Sequence, residues 1–387
     1  MRKLIFVMSF LVFLGSCNSS SDLVSSQMKE VQFQLIDSLV VESLSELYLV
    51  GKQEESGRYL FKDKFVNDIL LTDSKGRITV TPKLKGEGPD QVGQPWGIGF
   101  AGNEIAVKEF SAESKVHFFD QSFKKLRISE PLAGGMNLLE VAPTRNGASF
   151  LEINGKSLLI GSDPNAVDPA LMAEKEQNPG LYEKSTNGFF VDVNSGKVKK
   201  LNIYPDSWQP KKEGKWVGPA YPFIAASSKS KVIAVLPRIG DQVFFYQLVS
   251  NELIPKGETL INHPKRKRGL VFNPEDDALL YPSFFDLKAG GNLFLIHFYT
   301  EVPRDLYLPM KAQGTANGKN PEFIDLLRRT RRSKYILADD KGNQTPIEEL
   351  PIEGQIHFID ANDVIYIKPA SKEEKDYNVF YRYRVKM

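Results

Sequence analysis

The feature that most constrains the fold is a strand–turn–strand unit that recurs along the whole chain. Its first strand is strongly apolar, its turn is short and polar, and its second strand alternates between apolar and polar residues. Copies of this unit occupy residues 67–84, 114–128, 187–203, 241–257 and 333–350. Turn sequences such as Ser-Lys-Gly and Asn-Ser-Gly tolerate positive φ angles. The contrast between the two strands predicts a buried strand beside an edge strand.

A second kind of hairpin lies between these copies, and in most cases it opens with proline and ends in a very apolar strand. Its copies occupy residues 94–107, 142–153, 221–235 and 281–296, with a copy that lacks the proline at 355–367 and an early divergent copy at 45–62. Alternating hairpins of about 40–50 residues per pair are typical of a β-propeller, in which radial stacking buries both faces of each blade. The sequence therefore predicts an all-β fold, a six-bladed β-propeller. Seven blades, or two unrelated β-sandwiches, are the alternatives.

The two ends of the predicted domain, residues 30–387, carry alternating strands at 30–39 and 379–387. If the last blade takes its outer strand from the N-terminal segment, hydrogen bonds between the chain ends close the ring. Closure of this kind removes exposed strand edges, which are sites of aggregation.

Two short helical insertions interrupt the strands, at about 163–185 and 305–332. In the first, Asp168 can cap a helix and Pro169 suits its first turn. In the second, Asn320 and Pro321 have the same roles, and the spacing predicts one apolar face. That face contains Phe323, Ile324 and Leu327.

Two basic runs need an interpretation. Arg328, Arg329, Arg331 and Arg332 end the second helix, where they complement the helix dipole or form a docking site for an acidic partner or a lipid headgroup. Lys265, Arg266, Lys267 and Arg268 are interpreted as a solvated loop.

The N-terminus has the pattern of a secretory signal. Arg2 and Lys3 precede an apolar run that is too short to span a bilayer. The run closes on Leu-Gly-Ser before Cys17, the only cysteine of the chain, and this resembles the cleavage box of bacterial lipoproteins. The sequence thus predicts a lipoprotein signal peptide over residues 1–16, a lipid on Cys17 and a flexible polar tether over 17–29.

The charge balance of the chain limits the kinds of partner that it can bind. Removing residues 1–16 deletes Arg2 and Lys3 and leaves 48 basic and 48 acidic side chains. Balanced charge argues against a nucleic-acid-binding protein, which usually carries a basic excess.

The signal sequence, the KGEGPDQVGQPWGIGF stretch at 85–100 and the hairpin spacing together resemble a domain-of-unknown-function family of bacterial envelope lipoproteins. That resemblance implies a six-bladed propeller of the TolB-like kind over nearly all of the mature chain. It implies no catalytic residues. With Asn18 after the cysteine, the expected location is the cell envelope, at the outer membrane.

Motifs of known chemistry are missing from the sequence. His117, His263, His297 and His357 lack metal-ligand spacing and are interpreted as structural. There is no nucleophile elbow, zinc-protease motif or phosphate loop, and no cofactor or metal is predicted. The sequence favours a non-enzymatic binding or scaffold protein for an unknown protein, peptide or glycan. A hydrolase or lyase with a carboxylate or metal site in the propeller channel is the alternative.

In a propeller, the loops that enter the innermost strands and the loops that leave the second strands lie on the same face. Aromatic and cationic residues occur in both kinds of loop, so we expect them to gather on that face. The predicted ligand-binding residues are Trp96, Lys108, Arg145, Phe223, Arg238, Tyr299 and Lys368. Aromatic rings supply stacking area and arginine supplies forked donors, so the set suits an anionic or sugar-bearing ligand.

Overall fold

Six four-stranded antiparallel sheets form the blades of a β-propeller in a computed structural model of the chain. The structure describes residues 31–64, 68–111, 113–132, 148–163, 180–218, 220–267, 269, 273, 276–371, 373 and 375–387. The prediction of a six-bladed propeller is confirmed. Cys17, the signal peptide and the tether lie outside the described residues.

Each blade contains an innermost, a second, a third and an outer strand. The innermost strands are β2 (Leu47–Lys52), β6 (Pro95–Ala101), β10 (Ala148–Ile153), β14 (Phe223–Ala226), β18 (Ser283–Ala289) and β22 (Gly354–Ile359). The second strands are β3 (Tyr59–Asp63), β7 (Glu104–Glu109), β11 (Lys156–Ser162), β15 (Val232–Leu236), β19 (Leu293–Tyr299) and β23 (Val364–Pro369). The third strands are β4 (Ile69–Thr72), β8 (Val116–Phe119), β12 (Gly188–Asp192), β16 (Gln242–Val249), β20 (Ser333–Asp339) and β24 (Tyr377–Lys386). The outer strands are β5 (Ile78–Val80), β9 (Lys125–Ile128), β13 (Val198–Leu201), β17 (Glu252–Leu260), β21 (Gln344–Ile347) and β1 (Gln32–Glu42). We number the blades 1 to 6 in the order of their innermost strands.

Burial along the first hairpin type follows its sequence pattern. All four residues of β8 are buried, whereas β9 alternates between half-buried and exposed residues. A strand covered on both faces must be apolar throughout, and an outer strand has one wet face. The predicted pairing of a buried strand with an edge strand is confirmed in this blade.

The apolar core is divided among the blade interfaces. Between blades 4 and 5, for example, the rings of Phe245 and Phe294 pack with their centroids 5.6 Å apart. Similar buried clusters lie between every other pair of neighbouring blades. Each blade therefore shares its core with its neighbours, which is how a chain of this length avoids one oversized core.

The N-terminal strand completes blade 6. β1 runs antiparallel to β24, from the pair Gln32 and Lys386 to the pair Glu42 and Tyr377. Arg382 forms an ion pair with Asp37 across this seam. The predicted ring closure by the two chain ends is confirmed.

Four short helices accompany the described strands. They are α1 (Gly180–Lys184), α2 (Gln209–Lys212), α3 (Arg304–Ala312) and α4 (Pro321–Thr330). The described residues contain no helix that is long and apolar enough to cross a bilayer. The predicted cap Asp168 and Pro169 lie outside the described residues.

Helix α4 begins as predicted, because the Asn320 side chain accepts a hydrogen bond of 2.9 Å from the Glu322 N–H and Pro321 occupies the first turn. Its buried face contains Phe323 and Leu326. The prediction of an apolar face is confirmed at Phe323, whereas Ile324 and Leu327 are half-buried and Leu326 is the second buried residue. Helices α3 and α4 both lie between β19 and β20, at the end of the blades where the innermost strands begin. We call this end the upper face and the opposite end the lower face.

Candidate functional site

Three of the predicted ligand-binding residues, Lys368 of blade 6 and Trp96 and Lys108 of blade 2, lie at the upper ends of second or innermost strands, where contacts link adjacent blades. Lys368 donates hydrogen bonds of 2.9 Å to the Leu47 carbonyl of blade 1 and to the Asn378 side chain. Burial lowers its pKa to about 8. Lys108 of blade 2 forms an ion pair of 2.8 Å with Asp163, which is fully buried beside blade 3. These ammonium groups are already bound by the propeller itself.

Trp96 takes part in a similar contact. Lys62, in blade 1, donates a hydrogen bond of 2.9 Å to the Trp96 carbonyl and lies 5.0 Å from the centre of its ring. The Trp96 ring also packs against Phe110, with centroids 5.6 Å apart. Lys62 itself was not singled out from the sequence, although it occupies the same position in blade 1 as Lys108 does in blade 2.

Two further residues of the predicted set, Phe223 and Arg145, are not found on the upper surface that the structure describes. Phe223 is 4% exposed and belongs to the core between blades 4 and 5, so its ring is not offered to a ligand. It follows a proline at the start of an innermost strand, but its side chain points into the blade interface. Arg145 lies outside the described residues.

Arg238 lines a cavity of about 310 Å³ on the upper face between blades 4 and 5, close to helix α4. We call it the arginine pocket, since three arginines contribute to its wall. The lining comprises Val217, Gly218, Ala220, Tyr221, Arg238, Ile239, Gly240, Asp241, Arg266, Lys267, Ala278, Tyr281, Pro282, Ser283 and Arg331.

An aromatic cluster below the pocket fixes two of its wall segments. The Tyr182 hydroxyl of α1 donates to the Gly218 carbonyl at 2.7 Å and accepts from the Val217 N–H at 2.9 Å. The Trp208 indole N–H donates to the Ile239 carbonyl at 3.1 Å. At Gly240, whose φ is +118°, a Cβ would lie 3.0 Å from the Trp208 indole nitrogen, so glycine is required there. The walls are therefore held by buried contacts.

Arg266 forms a fixed part of the pocket. Its side chain is 3% exposed, pairs with Asp241, donates to the Gly240 carbonyl at 2.6 Å and lies 4.5 Å from the centre of the Phe284 ring. Burial lowers its pKa, and Asp241 opposes that shift. The interpretation of residues 265–268 as a solvated loop is wrong for Arg266, because a neighbouring carboxylate makes its burial tolerable.

Arg331 follows helix α4 and enters the pocket. It donates a hydrogen bond of 3.2 Å to the Ser283 hydroxyl and lies 5.2 Å from the centre of the Tyr299 ring. Burial lowers the pKa of Arg331, the Tyr299 side chain raises it, and the positive charge of Arg238 lowers it. The side chains of Arg331 and Arg238 thus line the same cavity.

Of the sequence-predicted set, Arg238 lines the pocket, and Tyr299 lies beside Arg331, which also lines it. Tyr299 packs edge-on against Phe285, with centroids 5.0 Å apart, and burial raises its pKa. Arg331 could have been found from the sequence, because it belongs to the basic run at the end of α4 that was interpreted as a possible docking site. Because 32 residues separate Arg331 from Tyr299 along the chain, only the fold shows that they meet.

A second cavity, of about 260 Å³, lies around the propeller axis toward the lower face. All six blades contribute to its lining, which includes Gly51, Phe100, Phe150, Ala226, Ala289 and Phe358. The lining lysine Lys52 pairs with Asp360 at 2.7 Å and with Glu54 at 3.1 Å. Across the described ranges, no three His, Cys, Asp or Glu side chains are grouped so as to hold a metal ion.

All four histidines are buried. His117, His263, His297 and His357 are each 6% exposed or less. Burial lowers the pKa of His357 well below its usual value. His117 lies 3.1 Å from a Glu109 carboxylate oxygen, and burial still lowers its pKa. These environments agree with the structural interpretation of the four side chains.

Solved structures with the same fold come from Bacteroides. A member of the DUF4221 family from Bacteroides vulgatus matches with a TM-score of 0.58 and 11% identity, over 93% of this chain and 99% of that chain. A protein from Bacteroides fragilis described as exported matches with a TM-score of 0.51 and 12% identity, over 95% of this chain and 98% of that chain. At such low identity the likeness shows the fold alone.

TolB from Acinetobacter baumannii is also similar, with a TM-score of 0.39 and 9% identity over 88% of this chain and 64% of that chain, which is too weak to carry an argument. No family model and no curated protein matches the sequence. The resemblance to propeller proteins of a domain-of-unknown-function family is confirmed at the level of fold.

Proposed function

We propose that this chain is a lipid-anchored propeller of the bacterial envelope that binds an anionic ligand at the arginine pocket without transforming it. The observation that carries the proposal is that Arg331, Arg238 and Arg266 line one cavity. Among the described residues, no carboxylate lies within ion-pair distance of Arg331, which contacts the Ser283 hydroxyl and the Tyr299 ring.

A bound anion would offset the unfavourable electrostatic energy of two guanidinium groups at one cavity. The like charges of Arg331 and Arg238 repel each other, and burial disfavours the charged form of Arg331. A ligand oxyanion between the guanidinium groups replaces repulsion by attraction, and the planar forks of arginine suit carboxylate and phosphate groups. The pocket walls are held by Tyr182 and Trp208, so little ordering is required on binding.

The anchor is the second part of the proposal, and it is supported by the sequence alone. The charged start, the apolar run and the small residues before Cys17 have the order that lipoprotein processing requires. Several acyl chains on Cys17 would hold the protein firmly, because each buried methylene contributes about 0.8 kcal/mol. The proposed partners are therefore the membrane, through the lipid, and an anion-bearing protein, peptide or glycan in the envelope.

Phosphate titration of the full chain carrying Cys17→Ser tests the binding proposal. Arg331→Gln should weaken phosphate binding by about tenfold or more, because a hydrogen bond to a charged group contributes about 1.5–3 kcal/mol. Binding is followed by the rise in Tm at constant ionic strength, since a ligand that binds only the folded state stabilises it.

Arg328→Gln is the matched control for that experiment. Arg328 lies on the same helix, is exposed and does not line the pocket, yet its replacement removes the same charge. The control should bind phosphate as the parent does. Equal loss in both variants would show a non-specific charge effect, and no loss in either would place anion binding elsewhere; both results reject the pocket.

A further inference from the structure

The arginine pocket has an apolar wall as well as cations. Val217, Ala220, Ile239, Ala278 and Pro282 line the same cavity as the guanidinium groups. The rings of Tyr221 and Tyr281 also contribute to the lining. A site that only had to bind a hydrated inorganic ion would not need this surface, whereas ligand sites for organic molecules combine apolar walls with a few polar anchors.

Acidic residues around the pocket limit the charge that it can accept. Asp241 lines the cavity and neutralises Arg266. The negative charge of Asp277 raises the pKa of Arg331, and that of Glu301 raises the pKa of Arg266. Both carboxylates therefore favour the charged form of the nearby arginine. A ligand with several negative charges would meet these carboxylates. The balance therefore favours one anionic group at the cavity that Arg331 and Arg238 line.

The carboxylate positions are fixed by their own contacts. Asp277 accepts a hydrogen bond of 3.0 Å from the Leu279 N–H and another from the Tyr307 hydroxyl. Asp241 also accepts from the Gly269 N–H at 2.7 Å. Since these groups cannot easily turn away, a second negative charge on the ligand remains unfavourable.

We propose that the ligand of this pocket is a compact amphiphilic monoanion, a single carboxylate carried on a short apolar body. This inference rests on the proposed function, because it assigns a chemical class to the anion that the same site binds. The carboxylate would lie against the guanidinium groups of Arg331 and Arg238. The apolar body would contact the wall formed by Val217, Ile239 and Ala278.

A series of straight-chain acids tests this inference on the full chain carrying Cys17→Ser. Acetate, butyrate and hexanoate carry the same carboxylate and differ only in methylenes. Their affinity should rise about fourfold with each methylene that the wall buries, the factor that corresponds to about 0.8 kcal/mol. Hexanol, which lacks the charge, and pyrophosphate, which has several, should both bind more weakly than hexanoate.

One wall variant and a matched control outside the cavity sharpen the test. Ala278→Asn places a polar group on the apolar wall and should flatten the rise in affinity from acetate to hexanoate. Ala312→Asn makes the same change at an exposed position on α3, outside the cavity, and should leave the series as in the parent. Arg331→Gln should weaken every acid in the series.

The outcomes separate the two proposals. If phosphate and acetate bind through Arg331 but longer acids bind no better, the pocket binds anions and the amphiphile inference is wrong. If hexanol binds as tightly as hexanoate, the site recognises the apolar body alone and the inference is again wrong. If no acid and no phosphate binds, the proposed function fails together with the inference.

Discussion

At the scale of single residues, lysines at equivalent strand ends connect neighbouring blades. Lys368 reaches blade 1, Lys62 reaches blade 2 and Lys108 reaches Asp163 beside blade 3. Each ammonium bridges an interface that hydrogen bonds within a sheet do not cross. In blades 4 and 5 the upper face instead contributes Arg238 and Tyr299, and it is here that the arginine pocket opens.

Lys62 gives a pH-dependent prediction. Burial lowers its pKa to about 8 from 10.5. Between those values the unfolded chain binds more protons, so the contribution of Lys62 to the free energy of unfolding rises with pH. The parent should therefore gain stability relative to Lys62→Met between about pH 8 and about pH 10, by up to about 1.4 kcal/mol per pH unit.

Urea unfolding at several pH values measures that difference. Lys75→Met, at an exposed turn of blade 1, is the control for removing a charge without burial. A difference between parent and Lys62→Met that stays flat or falls with pH would contradict the burial of a charged ammonium at this interface.

At the scale of elements, the seam between β1 and β24 decides whether the ring is closed. Leu39 and Val41 of β1 are buried against blade 1. A chain that lacks residues 1–42 should lose about 1.5–3 kcal/mol for each of these side chains and expose the edge of β24. Its Tm should fall and it should aggregate.

A chain that lacks only residues 1–30 is the matched control for the seam. It keeps β1 and should melt as the parent does. If both truncated chains melt at the same temperature, β1 does not contribute to closure.

Strands and blade number could be predicted from the sequence because they follow local patterns. Apolar runs, alternation of apolar and polar residues, and turn residues predict the hairpins. The capping residue Asn320 and the following Pro321 predict the start of helix α4. The pocket could be predicted only in part. Arg238 was found from its place after a second strand, but Arg331 and Arg266 depend on which distant segments meet them. Phe223 shows the limit of the same reasoning, because a position at the upper face does not fix the direction of a side chain.

At the scale of the whole molecule, the fold separates the start of β1 from the pocket. β1 pairs Gln32 with Lys386 at the lower face, whereas Arg238 and Arg331 lie at the upper face. In the proposed lipid-anchored protein, the tether from Cys17 would reach the described chain next to β1, whose first residues lie on the face opposite the arginine pocket. This arrangement suits a membrane-held binding protein whose ligand site faces the aqueous envelope.

Membrane fractionation of the Cys17→Ser protein tests this central claim most directly. The substitution removes the sulfur that would carry the lipid, and Ser16→Ala, which keeps a small residue before Cys17, is the matched control. We predict that the parent and Ser16→Ala sediment with membranes, whereas Cys17→Ser is recovered in the soluble fraction. Cys17→Ser protein that still sediments with membranes as the parent does would contradict the account.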